Sequence, residues 1–379
     1  MRRLILLLSF VQMVVPTLSA QRSTINQLQQ RLAACQAAKD SDATVAGQLR
    51  SMELTEQLTE PTLRQLVASF KPGPDTLLAL NLLADYSAFL EPPAGELPEM
   101  APPSAAEQQS MMKSALNFVA VTLGQLPNLM ATRVTRSFDD ITPRDTRGTG
   151  VPQSIHLHPA GIFTQEITYR NGRESFSHVL GDSTDHEQDK SPPGLTSWGE
   201  FGAVLAIILT DASHGKLSWS HWEQTSTGLE AAFRYEVPKK ASHYDVDFCC
   251  VRDPKVPSSI VANLDDTQDP SNAYHGTPGY HGFLYLDPAT GAILRIALDT
   301  ELRSSDPITR SAVSVQYRSV EIGGKNYICP ARSVAISSTR SQFEGELIGK
   351  TIHRVNEVSF TNYHRFGSTL RIIPNPPAQ

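Results

Sequence analysis

The sequence predicts an α+β protein: a small N-terminal helical domain, then a curved antiparallel β-sheet, an unclosed half-barrel, wrapped around one or two helices. Three observations predict it. Apolar residues recur at helical spacing from Ser23 to Leu90, the period changes to two beyond Asn128, and one short, almost wholly apolar segment interrupts the strands at Phe201 to Leu209.

The first twenty residues, MRRLILLLSFVQMVVPTLSA, carry Arg2 and Arg3, an apolar run from Leu4 to Val15 and small residues at Ser19 and Ala20. That is the layout of a secretory signal peptide cut after Ala20, and the run falls short of the roughly 20 residues a membrane span needs. The sequence therefore predicts a bacterial periplasmic or secreted protein that is not an integral membrane protein. Without those two arginines, 31 basic residues face 39 acidic ones, a net charge of −8. A mildly acidic surface argues against nucleic acid or anionic lipid headgroups as the main partner.

Residues 21–91 read as three or four short helices. STINQLQQRLAACQAA sets Ile25, Leu28, Leu32 and Cys35 on one stripe, and PTLRQLVASF starts on Pro61, a residue suited to a helix's first turn. After the break at Pro72, Gly73 and Pro74, the pattern restarts with Leu77, Leu78, Leu80, Leu82 and Leu83. Residues 92–103, within EPPAGELPEMAPPS and its five prolines, read as a stiff linker between the two domains. The second domain is assigned to residues 104–379. It opens on Ser104 and Glu107, spaced as a capping box, with Met112, Leu116, Val119 and Leu123 as the apolar seam of the helix that follows.

Asn171-Gly172 between alternating runs predicts a tight hairpin, and LDPATGA predicts a type I turn ending on a left-handed Gly291. Ser197 and Glu200 again have capping-box spacing, placing a helix start just before Phe201. Being apolar nearly all round, that helix needs a hollow, which a curved sheet provides. Strands such as GFLYL are apolar on both faces, so the sheet is either covered twice or lines an apolar cavity.

Chemistry-bearing patterns are sparse. There is no nucleophile elbow, zinc-protease helix, phosphate loop or dinucleotide fingerprint, and no cofactor is implied. His156 and His158 share a strand face but lack a third ligand by spacing, so no metal site is assigned. Asp185, Glu187 and Asp189 read as a solvated loop. YHGTPGYHG, from Tyr274 to Gly282, reads as a glycine-rich loop whose His275 and His281 would serve a hydrolase. In LSWSHWEQ, alternation puts Trp219 and His221 on one face and Trp222 on the other. The aromatic residues expected to line a cavity are Trp219, Trp222, Phe233, Tyr235, Phe283 and Tyr285. Cys249 and Cys250 are vicinal, so on a strand they point to opposite faces. In an oxidising compartment one of them is expected to pair with Cys329: Cys250 on the apolar face with Tyr244, Val246 and Phe248, or its rival Cys249.

The order of helix, strands, hairpin, inserted apolar helix and meander resembles the lipoprotein-carrier superfamily of LolA, LppX and the RseB/MucB sensor domain. Asp287, Thr290, Gly291 and Arg295 match its D-x-x-T-G…R turn, and IGGKNYICP resembles its G-x-Y-x-x-P strand. The resemblance spans at most Ser104 to Phe366. The whole chain, with MELTEQLTEP, LADYSAFLEPP and FTNYHRFGS, also resembles an uncharacterised family of secreted acidobacterial proteins. The superfamily likeness implies an unclosed barrel around helices, an apolar cavity for acyl chains and no catalytic residues. The expected function is thus a non-catalytic envelope protein binding a lipid or lipoprotein acyl chain. The alternatives are a sensor or protein-interaction module, docking an envelope protein through the N-terminal helices, and a secreted hydrolase.

Overall fold

The computed structural model describes residues 22–140, 157–178, 192, 194–248, 274–343 and 346–366. The leader, His156, the acidic segment at 185–189, and Cys249 with Cys250 lie outside them, and the disulfide expectation with them.

A two-residue strand, β1 (Arg22–Ser23), leads into α1 (Ile25–Ala38), whose Thr24 and Gln27 form a full capping box. Ser41 caps α2 (Asp42–Arg50), and β2 (Glu53–Leu54) pairs in parallel with β1. Such short pieces carry no period to read in sequence. Thr59 caps α3 (Glu60–Phe70), with Pro61 in its first turn. The last of the set, α4 (Pro74–Ser87), has Gly73 at its N-cap and no cap of its own. Asp42 of α2 substitutes: its carboxylate accepts from the backbone of Asp75 (2.9 Å) and Thr76 (3.1 Å). A Cβ at residue 73 would lie 2.4 Å from the Asp42 carboxyl carbon, so only glycine admits this cross-helix cap. Ile25, Leu28, Leu32, Leu49, Leu66 and Leu80 form the core these helices share.

The proline-rich segment is tied down: it makes a 3-10 turn at Ala94–Glu96, and the Trp222 indole donates to the Ala101 carbonyl at 3.0 Å. Ser104 and Glu107 cap α5 (Ala105–Gln125) as the sequence predicts. Its seam is turned from the expected one. Ala115 and Val119 are buried with Met111, Met112 and Phe118 against them, while Leu116 is 43% exposed.

The strands are β3 (Leu129–Asp139), β4 (His158–Arg170), β5 (Arg173–His178), β6 (Lys216–Thr225), β7 (Gly228–Val237), β8 (Val246–Phe248), β9 (Tyr274–Gly276), β10 (Gly279–Leu286), β11 (Ile293–Glu301), β12 (Ile308–Ile322), β13 (Lys325–Phe343) and β14 (Glu346–Arg365). Ten of them form one open antiparallel sheet in the order β5-β4-β3-β14-β13-β12-β11-β10-β7-β6, and β8 pairs with β9 apart from it. Asn171 and Gly172, both at positive φ, turn the β4–β5 hairpin. The Asp287 carboxylate accepts from Ala289 and Thr290, and Gly291 has φ 74°. Consecutive strands β5 and β6 occupy opposite edges, so the chain between them crosses the sheet, carrying α6 (Ala203–His214).

Both faces are covered. Val204, Leu205, Ile208 and Leu209 of α6, with α5, pack on Phe233, Tyr235, Leu284, Ile296, Leu298 and Val315. On the outer face Leu82 of α4 meets Phe138, Ala312, Val334, Ile336 and Val355, and Phe89 covers Ala232, Phe283 and Tyr285. Each such aliphatic side chain contributes about 1.5–3 kcal/mol when fully buried. Double cover accounts for strands apolar on both faces. Among the described residues, no helix is long and apolar enough to cross a membrane.

Candidate functional site

The segment ahead of α6 is held by four links to the sheet. Leu195 O accepts from Asn356 Nδ2 (2.8 Å), Ser197 O accepts from Arg133 Nη2 (2.9 Å), and the Glu174 carboxylate accepts from the backbone N–H of Gly199 (3.0 Å) and Phe201 (2.9 Å). Gly199 and Gly202 both have positive φ, and the helix begins at Ala203, not at Ser197 as the spacing suggests. The Ser197–Glu200 bond forms (2.7 Å), but as part of a buried cluster: Glu200 also accepts from Ser333 Oγ (3.3 Å) and lies 3.8 Å from Arg133. A buried arginine attracted this carboxylate away from helix capping. Burial, and then the charge of Glu200, push the Glu174 carboxyl up to about 7.

Between this segment, α6, β8 and the concave face of the sheet lies a cavity of about 620 Å³, a usual size for a small-molecule site. Val204, Ile207, Val246, Phe248, Val313 and Val315 supply apolar wall, and Glu200, His243 and Arg354 supply polar groups. Glu200 Oε2 is buried without a hydrogen-bond partner.

His243 is held at the rim by a fully buried carboxylate. Asp211, in the last turn of α6, accepts from His243 Nδ1 (2.6 Å), the His243 backbone N–H (2.8 Å) and the Tyr280 hydroxyl (2.8 Å). A carboxylate oxygen is the acceptor here, which places the proton on Nδ1 and leaves Nε2 open. The His243 side chain is 72% exposed. Its Nε2 can accept a hydrogen bond from a bound molecule's polar end. Burial, and then the bond to Asp211, raise the Tyr280 phenol well above its ordinary range. The signal for Asp211 was present in the sequence: an aspartate in an apolar helix needs partners. Its partners lie 32 and 69 residues away and have no local signature.

The aromatic candidates do not converge on this cavity. A bulge in β6 between Trp219 and His221 reverses the expected alternation. Trp219 and Trp222 therefore share the face covered by α5 and α6, ring centroids 4.8 Å apart, with Phe233 and Tyr235, while His221 turns to the outer face beside Phe283 and Tyr285. None of the six lines it. On the outer face His221, Glu223, Glu230, Arg295 and Tyr285 make a buried charged group, Arg295 lying 3.6 Å over the Tyr285 ring. Burial works to raise Glu223 but is outweighed by His221 and Arg295, which hold it low; Glu230 is raised, chiefly by burial.

The anticipated glycine-rich loop is two strands, β9 and β10. His275 bonds the Asp247 carboxylate, His281 lies 4.0 Å from Glu301, and both are exposed outside the cavity lining. His158 is exposed at the start of β4, and among the described residues no three His, Cys, Asp or Glu side chains are grouped to hold a metal. Cys329 is buried in one apolar cluster with Phe201 and Phe360, and burial pushes its thiol up to about 12. No known protein family, no curated protein and no solved structure matches the chain.

Proposed function

We propose that the protein is an exported, non-catalytic binder of an apolar ligand, a lipid or a lipoprotein acyl chain, held in the cavity between α6 and the concave face of the sheet. The observation that carries this reading is the cavity itself: about 620 Å³, walled by valines and Phe248, with Arg354, Glu200 and His243 as polar groups. Apolar surface supplies affinity and a few placed polar groups orient the ligand's head. The sensor reading would have to use α1 to α3, because the apolar face of α4 is occupied by the sheet.

Native mass spectrometry of protein exported to a bacterial periplasm tests the proposal. Extra mass in lipid-sized steps, lost on denaturation and reduced in Val313→Trp, which fills the cavity, is the expected result. Protein that stays bare and takes up no apolar dye overturns it.

A further inference from the structure

A second cavity, about 440 Å³, lies on the other side of the sheet, in the seam where the helical layer meets it. Met52, Leu54, Ala79, Leu82, Leu83 and Leu157 give it an apolar lining, and Arg50, Glu53, Tyr86, Arg310 and His353 stand among them.

The charged groups differ in what they already hold. Arg310 is paired with Asp299 (3.2 Å) and lies over the rings of Tyr86 and Phe89. Glu53 is paired with Arg22 (3.5 Å), and His353 Nδ1 is bonded to Ser338 Oγ (2.8 Å). Arg50 is different: its Nε is buried without an acceptor, and so is the Tyr86 hydroxyl. Asp42, which attracts Arg50 from a distance, has its carboxylate committed to the N-terminus of α4. Two buried donors without acceptors, on residues that line one largely apolar cavity, are a free-energy cost that a fold rarely leaves standing.

We propose that this seam is a second binding site, one that takes an apolar monocarboxylate of the fatty-acid class, its carboxylate received by Arg50 and the Tyr86 hydroxyl and its tail lying along Met52, Leu54, Ala79 and Leu83. A carboxylate offers acceptors to both orphaned donors at once and carries one negative charge, matched to one unpaired guanidinium. A dianionic phosphate would leave a charge uncompensated beside Glu53. A cationic amphiphile would set a second positive charge against Arg50 and offer neither donor an acceptor. Because α4 forms one wall and docks on the sheet through Leu82, occupancy ties the helical layer to the sheet.

The test is calorimetric titration of dodecanoate into the full chain carrying Val313→Trp, so that binding in the concave-face cavity is suppressed separately. One dodecanoate per chain is expected, weakened about tenfold by Arg50→Gln, the loss of one charge-assisted hydrogen bond. Tyr86→Phe, which keeps the ring and removes an unpartnered hydroxyl, is expected to weaken binding less while raising the melting temperature of the empty protein. Dodecylamine is expected not to bind there. Equal affinity in both variants, equal binding of dodecylamine, or no binding because water already satisfies both donors, overturns the proposal. Loss of lipid from Val313→Trp in the earlier experiment bears only on the concave-face site.

Discussion

Two of the helices that lie on the sheet, α6 and α4, hold to it by different physics. On the concave face α6 docks with Val204, Leu205, Ile208 and Leu209, and its one buried charge, Asp211, has three hydrogen bonds. On the outer face α4 docks with Leu82 and with Asp85, whose carboxylate accepts from Arg332 Nη2 at 2.7 Å, while Arg332 also reaches Glu357 (3.2 Å). Burial, against the pull of Arg332, pushes the Asp85 carboxyl up to about 6. Hydrophobic contact is indifferent to pH and a buried ion pair is not. The difference makes hydrophobic burial the larger part of the inner helix's own contact with the sheet, and adds to the outer layer an ion pair that responds to acidity.

The largest expected effect separates the two faces. Ile208→Ala, at a fully buried site on α6, is expected to destabilise by about 2–5 kcal/mol, with Leu82→Ala toward the lower end of that range because the Asp85–Arg332 pair still holds α4. Urea denaturation of both variants checks this, and an equal loss would break the comparison.

The pH dependence comes next. Glu174 (about 7) and Asp85 (about 6) are both raised above their ordinary values, so between about pH 4 and 7 the folded chain keeps protons that the unfolded chain releases. Stability is therefore expected to rise as pH falls through that window, and to be lost on further acidification as Glu223 and Asp42, held low, protonate. Melting temperatures from pH 4 to pH 8 give the profile. Glu174→Gln should flatten its upper part, and an unchanged slope would remove Glu174 from the account. The smallest effect sharpens the picture at a helix end: Ser104→Ala should cost about 1 kcal/mol, the worth of an N-cap, with no dependence on which face is tested.

Much of this was legible in the sequence wherever the deciding interaction is local. Asn171-Gly172, the Asp287 turn and the Ser104–Glu107 box each involve residues within four of one another, and each forms as its spacing dictates. Misreadings cluster where a distant group intervenes. Ser197 and Glu200 have the same spacing as Ser104 and Glu107, yet Arg133 and Ser333 draw Glu200 into the core. Ser220 is the extra residue of the β6 bulge, its hydroxyl bonded to His221 Nδ1 (2.8 Å), and it shifts the tryptophans by one face. The docking of α4, and the seam it creates, depends on Arg332, a residue 247 positions away.

The order of strands also dictates a schedule. The strands from β6 to β13 form ladders between successive neighbours in the sheet, with only the short β8–β9 pair set apart. Among the described residues, the hairpin of β4 and β5 with β3 is hydrogen-bonded into that sheet through β14, where Phe138 faces Val355 and Thr135 faces Val358. Closing so long a loop is slow, because its entropy is lost before any contact rewards it. A chain emerging N-terminal end first must hold β3 with one edge unpaired until residues 346–365 appear, and that exposed edge is the natural place for a folding chaperone, or for a second copy of the chain, to intervene.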